Sequence, residues 1–303
     1  MLPIIKTIVL ACCLGMVMPF AQAQDEPSLL DLLGSEEETT DRVTNAFKST
    51  RVVNGQSMEM LGAGVLDFRI LHRFGKFSLG AYQMFGLDNA SMRLAFDYGI
   101  TPNLMVGVGR STNKKEIDGF VKYRLLWQST GKKTMPVSLL WVSGVTVNGL
   151  KDPVGFPEVK PLFSRRLGYY HQLIVGRKFS ERFTLQLSPT LVHTNIVPNR
   201  LIPNDLYSVG FGGRYKFSKR VALVWDYYYV INRFPGDPVK DPLTIGFDIE
   251  TGGHVFQLHF SNAVGMNERA FLTDDNGSWL KGDIQFGFNL SRVFQIVKQP
   301  SFQ

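Results

Sequence analysis

The feature that most limits the fold of this chain is a two-residue alternation of apolar and polar side chains, repeated from Gly62 to Phe294. A period of two places one oily and one wet face on an extended strand. The clearest case sets Met92, Leu94, Phe96, Tyr98 and Ile100 against Arg93, Ala95, Asp97 and Gly99. Leu66, Phe68 and Ile70 alternate in the same way with Asp67, Arg69 and Leu71. Near the end, Trp279 to Phe294 sets Leu280, Ile284, Phe286, Phe288 and Leu290 against Lys281, Asp283, Gln285 and Asn289. That stretch exceeds the usual soluble strand but suits a tilted strand crossing a bilayer, which needs roughly ten residues. It is expected to close a ring of strands.

Weaker segments occur at Leu104–Arg110, Ile117–Gln128, Met135–Asn148, Tyr169–Lys178, Phe183–Ile196 and Leu206–Ser218. Val221–Ile231, Leu243–Glu250 and Val255–Val264 bring the expected total to about twelve, an even number. Every second link is tight: Thr101-Pro-Asn103, Ser129–Thr134, Phe179–Arg182, Ser218–Arg220 and Thr251–Gly253. The others are mostly long: Gly75–Ala90, Gly149–Leu167, Pro198–Asp205, Asn232–Pro242 and Gly265–Gly277. Short turns at one end and long loops at the other mark an all-β, antiparallel up-and-down transmembrane barrel, and an even count returns both ends of the ring to the periplasm. Aromatics fall where the two interfaces belong, with Tyr98, Trp127, Phe183, Phe217 and Phe294 by the tight turns and Phe74, Tyr207, Tyr227 and Tyr229 towards the loops.

The first residues read as an export signal. Lys6 precedes an apolar run from Ile8 to Phe20, and Ala21-Gln22-Ala23 supplies small residues for cleavage, so 1–23 is expected to be removed. Cys12 and Cys13 lie in that segment, and they are the 2 cysteines of the chain, which excludes disulfides and thiolate chemistry from the mature protein. Residues 24–61 lack the alternation of the strand region. Leu29, Leu30, Leu32 and Leu33 form a short amphipathic cluster, and Ser35-Glu-Glu-Glu-Thr-Thr-Asp41 a charged turn. This N-terminal extension either hangs in the periplasm as a loosely ordered leader or folds back into the barrel as a plug. The barrel is expected over 62–294 and a tail over 295–303.

A second set of residues carries a family resemblance. Phe47-Lys-Ser-Thr-Arg-Val-Val-Asn-Gly-Gln56, Gly64-Val-Leu-Asp-Phe-Arg69, His72-Arg-Phe-Gly75, Phe96-Asp-Tyr-Gly-Ile100 and Val106-Gly-Val-Gly-Arg-Ser111 belong to it. So do Asp118-Gly-Phe, Lys122-Tyr, Gly252-Gly-His-Val-Phe-Gln-Leu-His-Phe260, Lys281-Gly-Asp-Ile and Arg292-Val-Phe294. Together they resemble an outer-membrane β-barrel family of Gram-negative bacteria known only as a domain of unknown function. The resemblance implies a barrel in the outer membrane, with outer-membrane lipid and lipopolysaccharide around it and the barrel-assembly machinery as its partner during insertion. It implies no activity. In one departure from such barrels, Phe294 is succeeded by further residues, so the usual terminal aromatic is internal.

The alternation sends Asp67, Arg69, Arg73, Arg93, Asp97, Lys122, Arg124 and Arg214 into the lumen, together with Lys216, Asp226, Asp248, Glu250, His259, Lys281 and Asp283. Twelve strands about 4.8 Å apart and tilted near 40° leave roughly 24 Å between opposite backbones. Both signs of charge in that space allow two outcomes: a narrow, weakly anion-selective conduit for small solutes, or a closed, anchoring barrel zipped by ion pairs.

Other chemistries fit poorly. The formal net charge of +7 includes Lys6, and no basic run with interleaved aromatics suggests nucleic acid. His259 and Ser261 share a face with Asp283 on the next strand, but neighbours two apart sit nearly 7 Å from each other, too far for a nucleophile and its base. No catalytic residue and no cofactor are therefore assigned. His72, His171, His193, His254 and His259 are dispersed, and Thr273-Asp-Asp-Asn-Gly-Ser278 lacks the later bidentate acid of a calcium loop, so no metal is expected either. The glycines of Val106–Gly109 and Gly210–Gly213 do not open a helix, as phosphate fingerprints do, and are expected to make room for bulky lumen neighbours.

Overall fold

A computed structural model describes residues 39–151, 162–274 and 276–297. The export signal and the Leu29–Leu33 cluster lie outside the described residues, as does the tail beyond Val297.

Among the described residues, twelve strands close into one antiparallel barrel. They are β2 (Val65–Lys76), β3 (Ala90–Thr101), β4 (Leu104–Ser111), β5 (Ile117–Leu126), β7 (Ser138–Val147) and β8 (Leu167–Lys178). The ring continues with β9 (Phe183–Thr194), β10 (Asp205–Lys216), β11 (Val221–Val230), β12 (Leu243–Thr251), β13 (His254–Ser261) and β14 (Gln285–Gln295). Each pairs with its sequence neighbour in the ring, and β14 closes on β2 through pairs such as Ser291 with Arg69 and Gln295 with Val65. Closure removes every free strand edge, which a hydrocarbon layer would not tolerate.

Two short strands lie apart from the ring. β1 (Thr40–Arg42) pairs with β6 (Ser129–Gly131), which sits within the link between β5 and β7. That link is therefore more than a plain turn, and Ile117–Gln128 ends as a strand at Leu126. The link between β4 and β5, Thr112–Glu116, is the short one on the loop side.

Burial alternates along each strand as the sequence requires. On β8, Gly168, Tyr170, Gln172, Ile174 and Gly176 are buried, while His171, Leu173, Val175 and Arg177 are exposed. The exposed apolar set, including Phe96, Val108, Phe211, Phe247 and Leu258, forms the outer belt. Rings gather at both ends of it. Phe183, Tyr215, Phe217 and Phe247 form a chain with centroid separations of 5.3–6.5 Å near the tight turns. Phe74, Phe286, Phe260 and Phe77 do the same near the loops, at 5.6–6.1 Å. Amphipathic rings favour the headgroup layer, and the tight-turn end of such a barrel faces the periplasm.

The expected closing strand begins later than its alternation suggests. Trp279–Lys281 is a turn of 3-10 helix, Gly282 comes next at φ 72°, and β14 starts only at Gln285. At its other end the strand runs one residue beyond Phe294, to Gln295.

Because β14 holds β2 over its whole length, truncation after Leu290 should abolish the folded species that migrates differently before and after boiling. Truncation after Val297 should retain it. Equal behaviour of the two truncations on a heat-modifiability gel would contradict the closure described.

Candidate functional site

The lumen is filled by the chain itself. After β1, the backbone turns at Asn45 (φ 57°) and enters the barrel from the tight-turn end. Ala46, Phe47, the run Ser49–Met58 and Leu61 are buried. The chain then leaves past β3, where Gly64 N–H donates to Gly99 O at 2.8 Å. A Cβ at Gly99 would lie 2.1 Å from Gly62 O, so only glycine lets the departing strand pass this closely.

Inside, the segment folds into a small hairpin. Arg51 bridges Gln56, Val52 N–H donates to Gly55 O at 2.9 Å, and Val53-Asn54 forms the tip. The tip is held by one carboxylate. The backbone N–H groups of Val53, Asn54 and Gly55 all donate to Asp226 Oδ2 on β11, at 3.2, 2.7 and 3.2 Å. The Asn54 side chain donates to Thr244 Oγ1 at 2.6 Å and accepts from Arg73 Nη2 at 2.8 Å. A Cβ at Gly55 would overlap Tyr228 Oη at 1.7 Å, so the residue after the tip fits the wall only as glycine.

Wall side chains satisfy the carbonyls of this hairpin. Gln257 donates to Val52 O at 2.7 Å, Asn289 to Val53 O at 3.2 Å and Gln186 to Gln56 O at 2.7 Å. Lys122 donates to Thr50 O and Glu59 O at 3.1 and 2.7 Å, and Arg124 to Met58 O at 2.6 Å. A buried polar group without a partner costs about 1–3 kcal/mol, so the hairpin and the wall each meet a need of the other.

A second element enters from the loop end. Between β13 and β14, the short helix α1 (Glu268–Thr273) is capped by Asn267, whose side chain accepts from Ala270 N at 2.8 Å. Its residues Glu268, Ala270, Phe271 and Leu272 are buried. Arg269 anchors it to the β4–β5 link by two hydrogen bonds to Glu116, at 2.7 and 2.5 Å. Asp274, whose stretch of sequence has the oxygen-rich look of a calcium loop, is engaged by Arg269 and Lys114 at 3.2 and 2.7 Å.

The two intrusions meet. Arg51 of the hairpin donates to both oxygens of Glu268 at 2.9 and 3.3 Å, and neither side chain is exposed to solvent. Beside them Tyr228 packs on Phe271 with centroids 4.8 Å apart. Removing one member of a buried pair strands the other, at about 3–5 kcal/mol.

Of the lumen residues expected from sequence, Asp67, Arg69, Arg73, Arg93, Asp97, Lys122 and Arg124 are buried on the inner face. So are Arg214, Asp226, Asp248 and His259, while Lys216 and Glu250 stand half-buried at the rim. Lys281 and Asp283 do not belong. They precede β14, Lys281 is exposed, and Asp283 accepts from the Ser78 hydroxyl at 2.8 Å. That hydroxyl and the Ser278 N–H hold the Asp283 carboxyl below the usual carboxylate range. His259 and Ser261 both face inward, but the Ser261 hydroxyl pairs with Thr244 Oγ1 at 2.8 Å.

Among the described residues, no ion pair joins opposite walls of the barrel directly. Arg93 pairs with Asp118 on the same wall at 2.5 Å, as Arg69 does with Asp67 at 3.5 Å. Sequence reasoning missed Arg51, Glu116, Asp118 and Glu268, which lie on the hairpin, at a strand start or in a loop. Lumen glycines do make room: a Cβ at Gly109 would lie 2.3 Å from Arg93, and one at Gly144 2.3 Å from Tyr170.

This arrangement meets its relatives at the level of family. Residues 47–294 match the family described as Membrane bound beta barrel domain (DUF5777). The chain belongs to this family. The match begins at Phe47, so the lumen hairpin is part of the membrane-bound domain that defines this family. No curated protein matches the chain. Among solved structures, a NanC porin is similar with TM-score 0.47 and 9% identity, over 75% of this chain and 98% of that one. An outer membrane channel from Pseudomonas putida F1 is similar with TM-score 0.42 and 13% identity, over 78% and 98%. LpxR from Salmonella typhimurium is similar with TM-score 0.38 and 11% identity, over 76% and 99%.

The carboxylate under the hairpin tip gives a direct test. Asp226→Ala leaves three buried N–H groups unpaired, each worth about 1–3 kcal/mol, and should lower the unfolding free energy by at least ~3 kcal/mol. Urea unfolding in detergent micelles, monitored by tryptophan fluorescence, reads this. An unchanged free energy would mean that Asp226 does not hold the tip.

Proposed function

We propose that this protein is a conduit for small polar solutes across the outer membrane, shut at rest by residues 46–61. One observation supports the reading above others. The wall meets the hairpin mainly through long polar side chains, Gln186, Gln257, Asn289, Lys122 and Arg124, which donate to its backbone carbonyls. Water or a solute can replace a backbone carbonyl at such donors, so the hairpin can be withdrawn without leaving the wall unsatisfied. A lumen built only as a core would have no need of these groups.

A second reading, a permanently closed barrel that serves as an anchor for periplasmic or surface partners, draws on apolar residues set among these donors on β7, β8 and β9. There Leu140, Val142, Tyr170, Ile174 and Val192 pack with Val52 and Met58 of the hairpin. Apolar burial of this kind resists withdrawal.

Planar bilayers separate the two. Replacing residues 46–61 with a flexible linker should give steady, discrete conductance where the intact chain is closed or opens rarely. A tether supplies the converse. A Cβ at Gly176 would sit 3.2 Å from Met58 Cβ, near disulfide range, and the mature chain is expected to have no other cysteine. The double variant Met58→Cys, Gly176→Cys should lose openings when oxidised and regain them on reduction. Absence of conductance even without residues 46–61 would overturn the conduit and favour the closed barrel.

A further inference from the structure

The cations at the two ends of the barrel differ from one another in whether an acid pairs with them. At the loop end Lys114 pairs with Asp274, Arg269 with Glu116, and Arg233 with Asp237 and Asp241. At the tight-turn end, neighbouring turns bring Arg182, Lys216 and Lys219 together around a cleft of about 310 Å³. The register makes the cleft: Phe183 pairs with Tyr215, and Lys216 N–H donates to Arg182 O at 2.8 Å, which sets the two turns side by side. Among the described residues, no hydrogen bond or ion pair engages the side chains of Arg182, Lys216 or Lys219. The one acid of the cleft, Glu181, is 84% exposed and turned to Lys178 at 2.7 Å.

The level of this cleft is fixed by its surroundings. Phe217 lines it and belongs to the ring chain of Phe183, Tyr215 and Phe247, which marks the periplasmic headgroup layer. Arg182 and Lys219 lie one and two residues beyond that belt, where lipid phosphates stand, and Lys216, between Tyr215 and Phe217 at the rim, is long enough to reach the same level. The cleft therefore combines three basic side chains outside any ion pair, against the one exposed acid Glu181, with the exposed ring of Phe217 at a fixed depth, which matches an anionic headgroup on an acyl chain.

We propose that this cleft binds the phosphate of an anionic phospholipid of the inner leaflet, held by Arg182, Lys216 and Lys219, with Phe217 against its glycerol and upper acyl region. The site does not depend on whether the barrel conducts.

The test uses the full chain in detergent, titrated with phosphatidylglycerol or phosphatidylethanolamine and read by native mass spectrometry. The wild type should bind phosphatidylglycerol in preference to phosphatidylethanolamine. A cation at an anionic headgroup is worth on the order of fivefold in affinity, so Arg182→Gln, Lys216→Gln, Lys219→Gln together should weaken phosphatidylglycerol about a hundredfold. Lys132→Gln with Lys133→Gln, outside the cleft, should leave it unchanged. Heat-dependent gel migration verifies that the triple variant folds, and the single turn variant Lys219→Glu serves in its place if it does not. No preference in the wild type, or equal binding by wild type and cleft variants, would overturn the proposal and leave these cations to a soluble acidic partner. Displacement of the lipid by equimolar inorganic phosphate would overturn it too, by making the site one for free phosphate.

Discussion

A strand edge cannot be left open in hydrocarbon, and every other part of this molecule depends on that. The N–H and C=O groups of a spanning strand find no water, so the sheet must close, and β14 has to return to β2. Closure of twelve strands creates an interior of fixed width, and the two-residue period then sends half of all strand side chains into it. What the lumen contains is a consequence of the ring.

That interior poses a second problem of the same kind. Arg69, Arg73, Arg93, Lys122 and Arg124 crowd one wall, where each needs a partner. Short-range pairs on the wall satisfy some of them. The rest are met by a chain segment rather than by side chains from the far wall. A backbone hairpin offers a carbonyl at every residue, at positions that arginine, lysine and glutamine can reach. The N–H groups left at its tip converge on the one carboxylate of Asp226. Arg51 and Glu268 then tie this inner element to the helix that enters from outside, so the two halves of the filling support each other.

The strands were legible because lipid on one side and a packed lumen on the other enforce a clean alternation. The links were legible because the two ends of the barrel face different compartments. At Lys281 and Asp283 the alternation continues by coincidence through a turn that Gly282 makes, and the pattern has no way to register a positive φ. Helix α1 is six residues long, too short to display a period, and Asn267 is its only local sign. Whether residues 24–61 plug the barrel is not written in the local sequence, for a deeper reason. Asn54-Gly55 announces a turn, but Arg51 and Glu268 lie 217 positions apart, and nothing near either residue names the other. Burial of Arg51 is decided by the width of the ring, which no local stretch encodes.

The central claim is that residues 46–61 sit at rest inside the lumen, bonded to the strands around them. Hydrogen–deuterium exchange of the intact protein in lipid nanodiscs measures this directly. Amides from Val52 to Ser57 should exchange far more slowly than those of the outer loop 77–89, since most are bonded to the wall or within the hairpin. Exchange at the rate of the outer loop 77–89 would place the hairpin outside the barrel and contradict the account.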